Sequence, residues 1–211
     1  MDFEFTDEFK EALSQLPDKK KDSLLLRYLK KDTKTAKKLF RELMDDRSVE
    51  ECRKEIEERV IERSATMIYH YYSPGYLMMD MRYLSGEITE HVRLTKDKYG
   101  ELSLNLLMLN EVLKEANTLT ATAPAGKVSK YCVYIVARTF KLMVLLSKMH
   151  EDLWIEFEEG FMKLGELISQ SDYLMRTCIH HGLDVNWLIR FDIPEDIDAM
   201  HKELRANGYL K

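Results

Sequence analysis

The chain has 211 residues, 45% of them hydrophobic and 33% charged, with a net charge of −5. That length fits one domain with at most a small appendage, and the composition is that of a globular chain, not a disordered one. Eight glycines, four prolines and three cysteines argue against a turn-rich β-sandwich and a disulfide framework, and the acidic balance argues against a dedicated nucleic-acid binder.

Thr6 ahead of Phe9, Leu13 and Leu16 predicts a short opening helix, capped by the threonine hydroxyl and stopped by Pro17. The residues around Thr6 are acidic and lack a basic segment followed by an apolar one, so they do not read as a signal peptide. A second helix starts at Asp22 or Ser23 and carries Leu25, Leu26 and Leu29. Asp32-Thr33 punctuates, and Ala36, Leu39, Phe40 and Leu43 mark a third. From Asp18 to Arg41 ten Lys/Arg face three Asp, an excess of seven positive charges. Residues 1–45 therefore read as a basic short-helix subregion packed on a main helical body, 48–211, within a single domain 1–211. Asp45 to Glu62 and Glu151 to Glu166 carry the opposite sign.

Ser48 and Glu51 have the spacing of a capping box, in which each side chain satisfies a free N–H at a helix start. The helix they open has Val49, Cys52, Ile56, Val60, Met67 and Tyr71 on one face and ends at Ser73-Pro74-Gly75. Tyr76 to Ser85 reads as helix. Residues 87–106 fit two templates: helical spacing, and an alternation of Ile88, Val92 and Leu94 followed by Leu102, Leu104 and Leu106 that suits a β-hairpin. The all-α reading is preferred, and Leu106 to Ala116 is helical in both. Thr118 to Lys127 reads as a flexible loop. Its Ala123-to-Lys127 run is not a phosphate-binding loop, because Ala121 stands where glycine is needed and Val128 where Ser or Thr is needed.

From Val128 to Gln170 the apolar residues keep one phase across His150, which predicts a single amphipathic helix of roughly 60 Å. The expected fold is thus mainly α, an irregular bundle around that long helix. Its most apolar stretch, Tyr131 to Leu146, is interrupted by Arg138 and Lys141 and is no membrane span. Ser171 to His181 gives another helix, ended by Gly182, and a short one is expected near Trp187. Pro194 opens the last helix, and Asn207-Gly208 closes it. Cys52, Cys132 and Cys178 are too far apart for a local metal motif and read as reduced core thiols, which points to the cytoplasm.

Several side-chain groups are candidates for function. Lys127, Lys130, Arg138, Lys141 and Lys148 form a narrow basic stripe suited to a phosphate or an acidic partner helix. The acidic second half of the same long helix suits antiparallel self-association. His70, Tyr71 and Tyr72 make an aromatic corner with a general base or ligand in reach of hydroxyls. Glu87, Glu90 and His91 invite a divalent metal, although the second motif of a two-metal bundle is missing. The lysines of residues 18–41 are where a nucleic acid would be attracted. No catalytic motif is matched. The residues favour a non-enzymatic interaction or regulatory protein that associates, with itself or another protein, through the 128–170 helix, without a membrane or a cofactor. A metal-dependent hydrolase is the first alternative, the one case that brings in a divalent metal, and an accessory nucleic-acid binder is the second.

Overall fold

Side-chain oxygens placed just ahead of apolar runs start most of the helices. The computed structural model describes residues 4–211; among them are eleven α-helices and one 3-10 turn but no strand, so the fold is mainly α. The chain divides into two units, Met1–Arg47 and Ser48–Lys211.

The first unit contains α1 (Asp7–Ser14), α2 (Asp18–Lys31) and α3 (Thr33–Met44). The Phe9 N–H donates to the Thr6 hydroxyl at 3.3 Å, the expected cap. Asp32 caps α3 by accepting from the Lys34 and Thr35 N–H groups, each at 3.1 Å. Helix α2 begins at Asp18, ahead of the predicted Asp22 or Ser23. Pro17 both stops α1 and stands directly before α2, where its missing N–H costs nothing. None of the three helices contains a buried residue.

The second unit opens with α4 (Val49–Tyr69), α5 (Pro74–Thr95), α6 (Lys98–Ala121) and α7 (Ala125–Leu146). It continues with α8 (Ile155–Ser169), α9 (Asp172–His181), α10 (Asn186–Ile189) and α11 (Ile197–Ala206). The Ser48–Glu51 capping box is present in both directions. Helix α6 is the centre: it packs on α4, α8, α5 and α7. Leu102, Leu104, Met108, Leu109, Val112 and Leu113 point into the surrounding layers. Helix α7 packs on α5, α9 and α11, and α8 packs on α6 and α10. Burying each such Leu contributes about 1.5–3 kcal/mol, so this core is a main source of the unit's stability. The three cysteines are indeed free and buried. Burial pushes the Cys132 thiol up to about 11 and Cys178 to about 12, so both stay protonated and unreactive.

One open choice is settled in favour of the preferred helix, and three expectations are corrected. Residues 87–106 form no hairpin: α5 runs through to Thr95, Lys96 takes a left-handed conformation with φ 63°, and Asp97 caps α6. Ile88 and His91, at helical spacing, are buried, whereas Val92 and Leu94 of the alternation are only half-buried. The long helix is two helices. α7 ends at Leu146, the chain turns, and Glu151–Leu153 form the 3-10 turn before α8. His150 leaves the helical region (ψ 138°), and its ring accepts the Asp152 N–H at 3.4 Å. Phase persisted across the break because each half has a stripe of its own to bury. The Thr118–Lys127 loop shrinks to Thr122–Pro124, because α6 runs on to Ala121, with the buried Thr120 hydroxyl satisfied by donating to the Ala116 carbonyl. The last helix starts at Ile197, with Pro194 in the turn before it. It closes as expected through Gly208 (φ 89°) and the Tyr209 N–H donating to the Leu204 carbonyl at 3.0 Å. Among the described residues no helix is long and apolar enough to cross a membrane.

Candidate interaction surface

The five cations of the predicted basic stripe meet different fates. Lys141 donates to Glu101 on α6 at 2.7 Å and Lys148 to Asp198 on α11 at 3.2 Å. Arg138 donates to the Ser85 hydroxyl and lies over the Tyr134 ring, 5.4 Å from its centroid. Lys127 and Lys130 are exposed near the α7 start. Arg138 and Lys141 thus tie α7 to α5 and α6, and Lys148 ties the turn after α7 to α11. The apolar stripe of the same helix, including Cys132, Ile135, Thr139, Leu142, Met143 and Leu146, is buried in the unit. A partner helix has no apolar face left to use there. On α8, by contrast, Ile155 and Met162 stay exposed, so the expected association through residues 128–170 keeps only that part of its surface.

The aromatic corner is built where α4 gives way to α5. His70 follows the last residue of α4, with the Tyr69 ring edge-on at 4.9 Å. Tyr72 packs edge-on against Tyr76 at 5.2 Å, and both are exposed. Tyr71 instead turns inward, where burial raises its hydroxyl above the ordinary value. The three predicted residues are thus not gathered on one site. A cleft of about 180 Å³ lies beside His70, lined by Arg63, Thr66, Met67, Asp80 and Tyr83. It is smaller than the roughly 300–1,000 Å³ of ordinary ligand pockets.

Glu87, Glu90 and His91 share α5 but face different partners. Glu87 pairs with Arg63 at 2.9 Å and Arg59 at 3.9 Å, and Glu90 takes Arg93 at 2.9 Å. His91 turns inward, its Nε2 3.2 Å from Asp97 Oδ2. Among the described residues no three His, Cys, Asp or Glu side chains converge as a metal would need.

Asp97, which the sequence did not single out, is where His91 leads. Its carboxylate caps α6 by accepting from the Gly100 N–H at 2.7 Å. It also accepts two bonds from Arg53 of α4, at 2.7 and 2.9 Å. Burial opposes its ionisation, but the bonds from Arg53, Gly100 and His91 prevail and hold the carboxyl below its ordinary value. The Arg53 guanidinium lies 4.5 Å from the Tyr99 ring centroid, and the Tyr99 hydroxyl donates to Glu156 of α8 at 2.8 Å. Four helices meet at this cluster. With the His91 and Asp97 side chains 4% and 2% exposed, it acts as a clasp between them.

An open apolar surface lies on the first unit. Along α3, Ala36, Leu39, Phe40, Leu43 and Met44 form one uninterrupted stripe. Its outer members remain open: Phe40 is 65% exposed, Leu43 70% and Met44 69%. Leu25, Leu26 and Tyr28 on α2 and Phe5, Phe9 and Leu13 along α1 are exposed as well. Lysines flank the α2 and α3 stripes. These apolar positions are legible in sequence as helix faces; what was missed is that the unit's own three helices leave them open. No family model matches this chain, and neither the curated proteins nor the solved structures hold a match to it.

Proposed function

We propose that this protein is a non-enzymatic helical interaction protein whose contact surface is the N-terminal unit. One observation carries the reading: three amphipathic helices, rich in Leu, Phe and Lys, bury none of their residues. Soluble chains rarely display a contiguous apolar patch above a few hundred Å² unless something binds it. A unit of this size, with no core of its own, needs an outside surface to complete it. The helical body has its own core and clasp and does not depend on that surface for its packing.

A photo-reactive side chain at Leu43, in the full chain and in the cells that make it, tests the reading. It yields one dominant adduct of discrete mass, and Phe40→Asp in the same chain abolishes that adduct. The same probe at Ser169, exposed on the body, serves as the control. No discrete adduct from Leu43, or equal adducts from both positions, would refute the proposal.

A further inference from the structure

Resting on the reading of the N-terminal unit as a contact surface, we infer that its partner is a second copy of this chain. The acidic α1 of each protomer seats on the basic, apolar α2–α3 pair of the other. Around α1, Asp7, Glu8 and Glu11 outnumber Lys10, and Phe5, Phe9 and Leu13 repeat at four-residue spacing on an exposed face. Residues 18–41 carry the excess of seven positive charges, with Leu25, Leu26, Phe40 and Leu43 exposed among them. Helix α2 packs on α3, and α1 makes no comparable contact with either. Each chain therefore offers an acidic apolar helix and a basic apolar helix pair that it leaves apart. Two chains related by a twofold axis satisfy both surfaces twice, which is the commonest closed arrangement of soluble proteins.

The other occupants of a lysine-rich apolar surface fit less well. A nucleic acid or an anionic lipid surface attracts α2 and α3 but repels the carboxylates of α1, which sit on the same small unit. The available area also suits a dimer. A stable interface takes about 600–1,000 Å² from each protomer, and Phe5, Phe9, Leu13, Leu25, Leu26, Tyr28, Phe40, Leu43 and Met44 are all exposed to contribute to it.

Charge exchange in the full-length protein is the test. Among the described residues Glu8, Glu11, Lys19, Lys20, Lys30 and Lys31 make no ion pair, but Glu8, Lys30 and Lys31 sit in helix-end turns where their natural charge favours the helix, so the reversed chains are compared only at equal far-ultraviolet circular dichroism. Sedimentation equilibrium from about 2 to about 200 µM shows a dimer for the natural chain. Glu8→Lys with Glu11→Lys weakens that dimer at least tenfold, and so does the fourfold reversal Lys19→Glu, Lys20→Glu, Lys30→Glu and Lys31→Glu, which takes residues 18–41 from +7 to −1. In each homodimer of these variants like charges meet, whereas in their mixture both contacts are opposite-signed. An equimolar mixture therefore restores a heterodimer to within about threefold of the natural affinity. Fluorescence-monitored unfolding of Trp154 and Trp187 stays unchanged throughout, which keeps misfolding of the body out of the comparison. A monomer at the highest concentration, undiminished dimerisation of the reversed chains, or a mixture that forms no heterodimer overturns the inference. A Leu43 adduct of discrete mass other than twice the chain's overturns it too, while leaving the association reading standing. No adduct at all removes both.

Discussion

Replacing Gly100 by alanine destabilises the helical body, although the same change inside a helix ordinarily helps by about 1 kcal/mol. Gly100 is the third residue of α6 and donates its N–H to Asp97. A Cβ there would lie 2.2 Å from Asp97 Oδ2, 2.7 Å from its Cγ and 3.2 Å from Arg53 Nε. The carboxylate must move, and it leaves the cap, Arg53 and His91 together. Losing a cap costs about 1 kcal/mol, and disrupting a mostly buried ion pair costs up to about 3–5 kcal/mol. Arg53 keeps some solvent and Asp97 shifts instead of disappearing, so the net loss is about 2–4 kcal/mol. For a unit of this size that lowers Tm by roughly 5–15 °C. Urea unfolding followed by the fluorescence of Trp154 and Trp187 reads the body alone. Gly86→Ala is the reference, because an added Cβ meets nothing within 4 Å, and it raises stability by about 0.5–1 kcal/mol. In an Asp97→Ala background the obstacle is gone, and Gly100→Ala turns neutral or mildly stabilising. If Gly100→Ala matches the natural protein, or costs as much with Asp97 removed, the clasp is misread.

Gly165→Ala costs more than Gly160→Ala, by about 1–2 kcal/mol in the same urea assay. At Gly165 the new Cβ meets Leu188 Cβ at 2.9 Å and the Ile189 backbone nitrogen at 3.0 Å, whereas at Gly160 it meets the mobile end of Leu106 at 2.7 Å; equal costs would contradict this. The C-terminal segment loosens in mild acid. Burial, helped by His180, lowers the His181 pKa from its ordinary 6.5, and the neutral Nδ1 accepts the Leu210 N–H at 3.3 Å. That contribution is present above 6.5 and is lost as pH falls through the lower folded value. Hydrogen exchange at the Leu210 amide should accelerate, beyond the intrinsic pH effect, between about pH 7 and pH 5; constant protection would count against it. Asp97 acts in the same direction further down the scale. Its stabilisation is present above the ordinary carboxyl value of 3.8 and disappears as pH drops through its lower folded value. Asp97→Asn, less stable than the natural protein near neutrality, closes that gap in acid, and a gap that stays constant would show that the carboxylate's charge is irrelevant.

Much of the fold was legible because it rests on local chemistry. Thr6, Ser48 and Gly208 announce helix ends through caps that depend on a few neighbouring residues. The break at His150 was not legible. Apolar phase reports which side of a helix is buried, but it cannot report that α7 and α8 bury their stripes against different neighbours. Residues 87–106 were ambiguous for a related reason, since Ile88 belongs both to a two-residue alternation with Val92 and Leu94 and to a helical spacing with His91 and Thr95, and only the burial of His91 and Asp97 decides between them. The candidate sites fared according to reach. Glu87 and Glu90 look like ligands along one helix, yet Arg59, Arg63 and Arg93 are also in range. Asp97 escaped notice because its partner Arg53 is distant in sequence. The stripe on α3 was visible, whereas its exposure is a property of what the rest of the unit does not cover.

The reciprocal capping box at Ser48 has a practical consequence. Because Ser48 and Glu51 close the first turn of α4 from within, the body's opening helix needs nothing upstream to begin. A protease cutting in the non-helical stretch between Met44 and Ser48 should release residues 48–211 as a fragment that keeps its unfolding midpoint. In lineage terms, such a seam would let the front segment be exchanged or rewritten while the bundle behind it keeps its own start.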